Sequence, residues 1–159
     1  GGKPCVLVVN KWDLVAKDNY TMEAFKKDIL DKLHHVDYAE MVFTSALTGQ
    51  RVSKVLETAD AAFREAQRRV TTGVVNQVIT EALALNSPPS TRGRAMKVYY
   101  ATQVRVAPPS FALFVNDPDL VTQSYSRYLS NKLREAFGFK GTPIRVMFRE
   151  RREKDRHKR

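Results

Sequence analysis

The stretch Val6-Leu7-Val8-Val9-Asn10-Lys11-Trp12-Asp13-Leu14-Val15 decides the fold. From Pro4 to Asn10 the chain is apolar and β-branched, bounded by proline on one side and a polar cluster on the other. Such a run reads as a strand buried on both faces, the kind that belongs to a parallel sheet. Downstream, Thr21 can cap a helix whose Phe25, Ile29 and Leu33 recur four apart on one face. Met41-Val42-Phe43 reads as a second short strand leading into Thr44-Ser45-Ala46. After Gly49, Val52, Val55, Leu56, Ala59 and Phe63 fall at helical spacing. The order β-α-β-α is the signature of a doubly wound α/β sheet, whose ligand sites lie at the carboxyl ends of the strands. Asn10 to Asp13 and Thr44 to Ala46 both occupy such ends. Two parallel strands do not make a stable sheet by themselves, so the expectation is that residues 1–70 are the carboxyl-terminal half of a larger domain and the chain a piece of a longer protein.

The pattern changes at Gln67-Arg68-Arg69-Val70-Thr71-Thr72-Gly73, and a second unit is expected over residues 71–149. A helix bearing Val75, Val78, Ile79 and Ala82 precedes a loop rich in Pro and Gly, Ser87 to Arg94. Strand alternation follows from Lys97 to Val106, placing Val98, Tyr100, Thr102, Val104 and Val106 on one face and Lys97, Tyr99, Ala101, Gln103 and Arg105 on the other. Pro108-Pro109 marks a turn, Phe111 to Val115 returns antiparallel, and Asn116-Asp117-Pro118 breaks the strand. A second helix has the apolar stripe Tyr125, Tyr128, Leu129, Leu133, Ala136 and Phe137, with Arg127, Asn131 and Arg134 opposite. Ile144 to Arg149 closes an α-β-β-α-β unit of the α+β class. Residues 150–159 carry no apolar anchor and read as a basic, disordered tail.

Charge separates the two units. Residues 1–70 hold 11 Lys/Arg against 10 Asp/Glu, net +1, and residues 71–159 hold 16 against 7, net +9. The basic field of the second unit suits a polyanion such as nucleic acid. A single cysteine, Cys5, excludes an internal disulfide and points to a reducing compartment. No run approaches the roughly 20 apolar residues of a membrane span. His34, His35 and His157 lie near no Cys or carboxylate at metal spacing and read as surface residues.

Asn10-Lys11-Trp12-Asp13 matches the Asn-Lys-x-Asp base-recognition motif of GTPases. One ionised carboxylate, Asp13, can accept from both N1-H and N2-H of guanine, whereas adenine offers an acceptor N1 and no 2-amino group. Asn10 can bridge the base edge and neighbouring loops, the Lys11 stem can lie over the base plane, and Trp12 packs beside them. Ser45-Ala46-Leu47, at the end of the next strand, matches the Ser-Ala-x element whose backbone N-H meets guanine O6. The phosphate half of such a site is absent from the sequence: there is no G-x-x-x-x-G-K-[ST] loop and no Asp-x-x-Gly element after a strand. Hydrolysis, and any Mg²⁺, would therefore depend on residues upstream of Gly1, and no catalytic residue is assigned to this chain.

With these motifs the sequence resembles the carboxyl-terminal part of the Der (EngA) family of double GTPases. The resemblance is carried by Asn10-Lys11-Trp12-Asp13, Ser45-Ala46-Leu47, Arg68-Arg69-Val70, Ser87-Pro88-Pro89 with Arg92-Gly93-Arg94, Ser124 to Leu129, and Gly141-Thr142-Pro143-Ile144-Arg145. It implies the end of a second G domain followed by a KH-like domain, GTP or GDP as ligand, and a role in assembling the large ribosomal subunit. It further implies ribosomal RNA and the upstream G domains as partners, no membrane association, and a bacterial cytoplasm or plastid stroma as location. Gly138-Phe139-Lys140-Gly141 spells the G-x-x-G of nucleic-acid-clamping KH loops, but it stands between a helix and a strand, where a glycine cap and a turn are expected. RNA contacts are expected from Arg105, Arg145 and Arg149, sharing the outer sheet face with Lys97, and from Arg92 and Arg94 on a loop, with Tyr99 available to stack a base. Two alternatives stand beside this reading: a stand-alone KH-like RNA-binding module without nucleotide binding, and a GTPase of the Era type, which would carry its G-x-x-G between two helices.

Overall fold

The computed structural model describes residues 2–15, 19–91 and 93–151. The chain divides into two compact units, one of residues 1–67 with 139–143, the other of residues 68–138 with 144–159.

In the first unit the order is β1 (Val6–Val9), α1 (Asn19–Lys32), β2 (Glu40–Phe43) and α2 (Val52–Gln67), with β1 and β2 parallel. The expected β-α-β-α unit is present, with two differences of detail. Thr21 lies inside α1 rather than capping it, because the helix is already formed at Asn19. The strand expected to be buried on both faces is half-buried, with Val8 48% exposed, since β2 is its only strand neighbour among the described residues.

Helix α2 departs furthest from its apolar stripe. Leu56 and Phe63 are 76% and 57% exposed, and Ala62 and Ala66 are the residues it buries. The reason is close approach. Gly141 packs against α2 so tightly that a Cβ on it would lie 2.5 Å from the Cβ of Ala62. Gly141 accepts a hydrogen bond from the Cys5 N–H at 2.8 Å and donates one to the Tyr38 carbonyl at 2.9 Å. Only a small residue on α2 fits beside that backbone, so the alanine face turns inward and the larger side chains are left outside.

The second unit runs α3 (Thr72–Leu85), β3 (Ser90–Thr91), β4 (Arg94–Ala95), β5 (Val98–Arg105), β6 (Ser110–Val115), α4 (Gln123–Phe137) and β7 (Arg145–Glu150). The stretch expected to be a plain loop includes the two-residue strands β3 and β4, too short for periodicity to reveal. The side chain of Asn116 holds this hairpin, accepting from the Lys97 N–H at 2.8 Å and donating to the Ala95 carbonyl at 3.1 Å.

The main sheet has the order β5-β6-β7, antiparallel then parallel. Its helix-facing side is the core: Ala101, Phe111, Leu113 and Val115 are fully buried, and so are Val75 of α3 and Leu129 and Leu133 of α4. The simple alternation expected for β5 fails because bulges interrupt the pairing between Val98 and Tyr100 and between Gln103 and Arg105. Each bulge shifts the side-chain phase by one residue. Gln103 therefore faces the core, and Arg105, two residues on, faces away.

The free edge of β5 is closed by side chains. Asn76 of α3 donates to the Ala101 carbonyl and accepts from the Ala101 N–H, both at 2.8 Å, as a neighbouring strand would. Gln103 does the same for the segment before α3, accepting from the Val70 N–H at 2.7 Å and donating to the Arg68 carbonyl at 3.0 Å. These bonds explain how a glutamine can be buried.

Gly138 caps α4 at φ 81°, donating its N–H to the Arg134 carbonyl at 2.8 Å. The G-x-x-G thus lies between α4 and β7, with Gly138 as helix cap and Gly141 as a close-approach position. Strand β7 continues one residue beyond its expected end, to Glu150, and Arg151 still donates its N–H to the Val115 carbonyl at 3.0 Å. The rest of the expected tail, residues 152–159, lies outside the described residues.

Candidate functional site

The first candidate site is made by the two loops at the carboxyl ends of β1 and β2. After Asn10 the chain takes a left-handed conformation at Lys11, φ 61° and ψ 32°, and turns through a 3-10 segment at Trp12–Leu14. The Trp12 N–H bonds the Thr44 carbonyl at 2.9 Å, and its indole is buried, 4% exposed, at 4.5 Å from the Phe43 ring and 5.4 Å from the Phe25 ring. The aromatic contacts at Phe43 and Phe25 make Trp12 the pin of this loop, with its side chain turned away from solvent.

Asn10 links the two loops. Its Oδ1 accepts from the Ala46 N–H at 3.0 Å and from the Thr44 hydroxyl at 3.5 Å. Ser45 is fully buried; its N–H donates to the Gln50 carbonyl at 3.1 Å and its Oγ accepts from the Thr48 N–H at 3.2 Å. The loop after β2 is thus closed by its own hydrogen bonds, with Leu47 projecting outward, 87% exposed. Asp13 is half-buried, and no described residue donates to its carboxylate, whereas Lys11 is exposed. Asn10, Lys11, Asp13, Ser45, Ala46 and Leu47 therefore belong to one pair of tied loops, and Trp12 supports them from below. From the sequence Thr44 was read only as part of the polar cluster at the end of β2, and Phe25 and Phe43 only as apolar residues of α1 and β2. The spacing of Phe25 showed only that it lies on the apolar side of α1, not that it would meet the indole.

Among the described residues no group of three His, Cys, Asp or Glu side chains is placed to hold a metal ion.

The second candidate site is the outer face of the β5-β6-β7 sheet. Register aligns Arg105 with Ser110 and Arg145, Thr102 with Ala112 and Met147, and Tyr100 with Phe114 and Arg149. Residues paired directly across strands share a face, so Arg105, Arg145 and Arg149 are gathered there, and all three are exposed. Lys97 and Arg94 stand apart from them. Lys97 precedes β5, and Arg94 is on β4, where its guanidinium lies 3.5 Å from the Asp117 carboxylate. Arg92 lies outside the described residues. Tyr99 is the residue at the first bulge, and the Arg151 guanidinium lies 4.7 Å from its ring centre.

A β-α-β-α unit followed by an α-β-β-α-β unit with a mixed sheet places the chain in the class of α/β domains that carry a KH-like domain at the carboxyl end. Residues 69–149 match the family described as the KH-domain-like of EngA bacterial GTPase enzymes, C-terminal. The chain is 54% identical over 153 residues to GTPase Der of Moorella thermoacetica, covering 96% of this chain and 35% of that protein. It is 52% identical over 158 residues to GTPase Der of Synechococcus sp. (strain CC9902), covering 99% and 35%, and 51% identical over 155 residues to GTPase Der of Prochlorococcus marinus (strain NATL1A), covering 97% and 34%. The chain belongs to the Der (EngA) GTPase family, and it spans about a third of the length of these curated relatives. Among the described residues no helix is long and apolar enough to cross a membrane.

Proposed function

We propose that this chain supplies guanine selection and RNA binding to a GTPase that acts in assembly of the large ribosomal subunit. The observation that carries the reading is the Asn10 Oδ1 to Ala46 N–H hydrogen bond, which fixes the Asn-Lys-Trp-Asp loop and the Ser-Ala-Leu loop as one frame. In that frame Asp13 accepts the two donors of guanine, a backbone N–H of the Ser45 to Leu47 loop meets O6, and the Lys11 stem covers the base plane. Sites built on such polar partners reject the wrong ligand by about 10⁴-fold, because a mismatched base leaves a carboxylate unpaired. GTP and GDP are the ligands, and hydrolysis with its Mg²⁺ belongs to residues outside this chain. The setting is a bacterial cytoplasm or a plastid stroma.

RNA binding falls to the second unit, on its net charge and on the arginines of its sheet. Nucleotide state governs ribosome engagement: the GTP-bound full-length protein binds large subunits more tightly than the GDP-bound form.

The test is the Asp13→Asn variant of the full-length protein. Loss of charge-assisted bonds worth about 1.5–3 kcal/mol each lowers GDP affinity by at least about 10²-fold. Xanthosine diphosphate, which presents a carbonyl where guanine has its amino group, regains affinity through the new amide donor. Unchanged GDP affinity refutes the guanine reading. Equal sedimentation with large subunits in GTP and GDP refutes the nucleotide dependence.

A further inference from the structure

The second unit has a sheet face whose chemistry is more specific than its net charge. We propose that the outer face of β5-β6-β7 binds single-stranded RNA, stacking an unpaired base on the Tyr100–Phe114 pair while Arg105, Arg145 and Arg149 hold the flanking phosphates. The inference rests on the RNA reading above and narrows it to one surface and one kind of RNA.

Three observations support it. Tyr100 and Phe114 are cross-strand partners whose rings lie 4.3 Å apart and within 10° of parallel, half-buried on the side of the sheet away from the core. Register places no acidic residue on that face: the row between the aromatic pair and Arg105 is Thr102, Ala112 and Met147, and Glu150 pairs with Val115 on the opposite side. The three arginines are exposed and form no ion pair with a described residue. Tyr99 stands apart from this pair at the first bulge, with the Arg151 guanidinium 4.7 Å from its ring centre.

The geometry discriminates between kinds of RNA. Arg145 and Arg149 are four residues apart on one strand, about 13 Å, and Arg105 lies two strands from Arg145, about 10 Å. Arg149 stands beside Phe114, and Arg105 and Arg145 lie two residue rows further along the same face. An A-form duplex keeps its base faces inside the helix and cannot use that pair, whereas an unpaired strand can. Gly138 is committed to capping α4 and Gly141 to close packing against Ala62.

The test is fluorescence anisotropy of the 159-residue chain with a labelled oligouridine of about 12 nucleotides and an RNA duplex of the same length. The single strand is expected to bind at least about tenfold more tightly. Phe114→Leu keeps apolar bulk and should weaken single-strand binding by about fivefold or more without changing its salt dependence. Arg145→Gln/Arg149→Gln, at exposed positions that do not threaten folding, should reduce the slope of log affinity against log salt by about 1.4. Equal or stronger duplex binding overturns the proposal, as does indifference to both variants. Loss carried instead by Arg94→Gln/Lys97→Gln overturns it while leaving RNA binding intact, and so does competition by an acidic peptide as strong as that by RNA. No binding to either RNA at low salt refutes the RNA reading itself.

Discussion

Replacing Gly141 with alanine should destabilise the first unit through two separable effects. At φ 71° an alanine costs about 1–2 kcal/mol more than glycine, because its Cβ crowds the neighbouring carbonyl. The second effect is steric. The new Cβ would lie 2.5 Å from Ala62 Cβ and 3.4 Å from Ala62 Cα, and the Cα belongs to helix backbone that cannot swing aside. Overpacking of this kind costs about 1–3 kcal/mol, so the total is about 2–5 kcal/mol. The assay is urea denaturation followed by the single tryptophan, Trp12, which is buried in the same unit and reports its unfolding. A double-mutant cycle separates the effects. Ala62→Gly costs about 1 kcal/mol as a helix-interior glycine, but it removes the atom that the new methyl group would strike. The double variant should therefore lose less than the sum of the singles by at least about 1 kcal/mol. Additive losses, or a Gly141→Ala variant within about 0.5 kcal/mol of the parent, would refute the close-approach argument.

Asn76→Ala removes two bonds to the edge of β5 and should lower the stability of the second unit by about 1–3 kcal/mol, with faster hydrogen exchange at Ala101 as its local signature. Asn10→Ala unties the two loops of the first unit; the Ala46 N–H should exchange faster, with a loss of about 1 kcal/mol in urea titration. Burial, with Tyr128 beside it, pushes the Tyr125 phenol from 10.0 up to about 12. Because the folded value is the higher one, its stabilising contribution is complete below pH 10 and is lost as pH rises through about 12. Spectrophotometric titration should show a late-ionising component that disappears in Tyr125→Phe.

The order of the larger elements of both units was legible because their apolar runs were long enough to show a period, whereas the two-residue strands β3 and β4 were not. The stripe of α4 was read correctly at Tyr125, Leu129 and Leu133, which are buried, and not at Ala136, which is exposed. The stripe of α2 was not, because Gly141, far along the chain, decides which side of that helix can come close. The loop motifs stood out by residue type, whereas the buried support beneath them, Phe25 and Phe43 around Trp12, comes from tertiary packing. The sheet face was legible in part: Arg105, Arg145 and Arg149 share it as expected, whereas Lys97 precedes β5. The second bulge of β5, between Gln103 and Arg105, brings Arg105 to the side of Arg145, where straight alternation would have set it beside Ala101.

The side-chain closure of β5 also bears on self-association. With Asn76 occupying the edge of β5 at Ala101, the other border of the three-stranded sheet is β7, whose two outward arginines, Arg145 and Arg149, stand along it. Two molecules meeting β7 to β7 would bring four guanidinium groups together, and like charges facing across a strand pair oppose joining. One border is plugged and the other is guarded by charge, so the sheet resists becoming the seed of a larger one at the high local concentrations that a crowded polyanion surface would create.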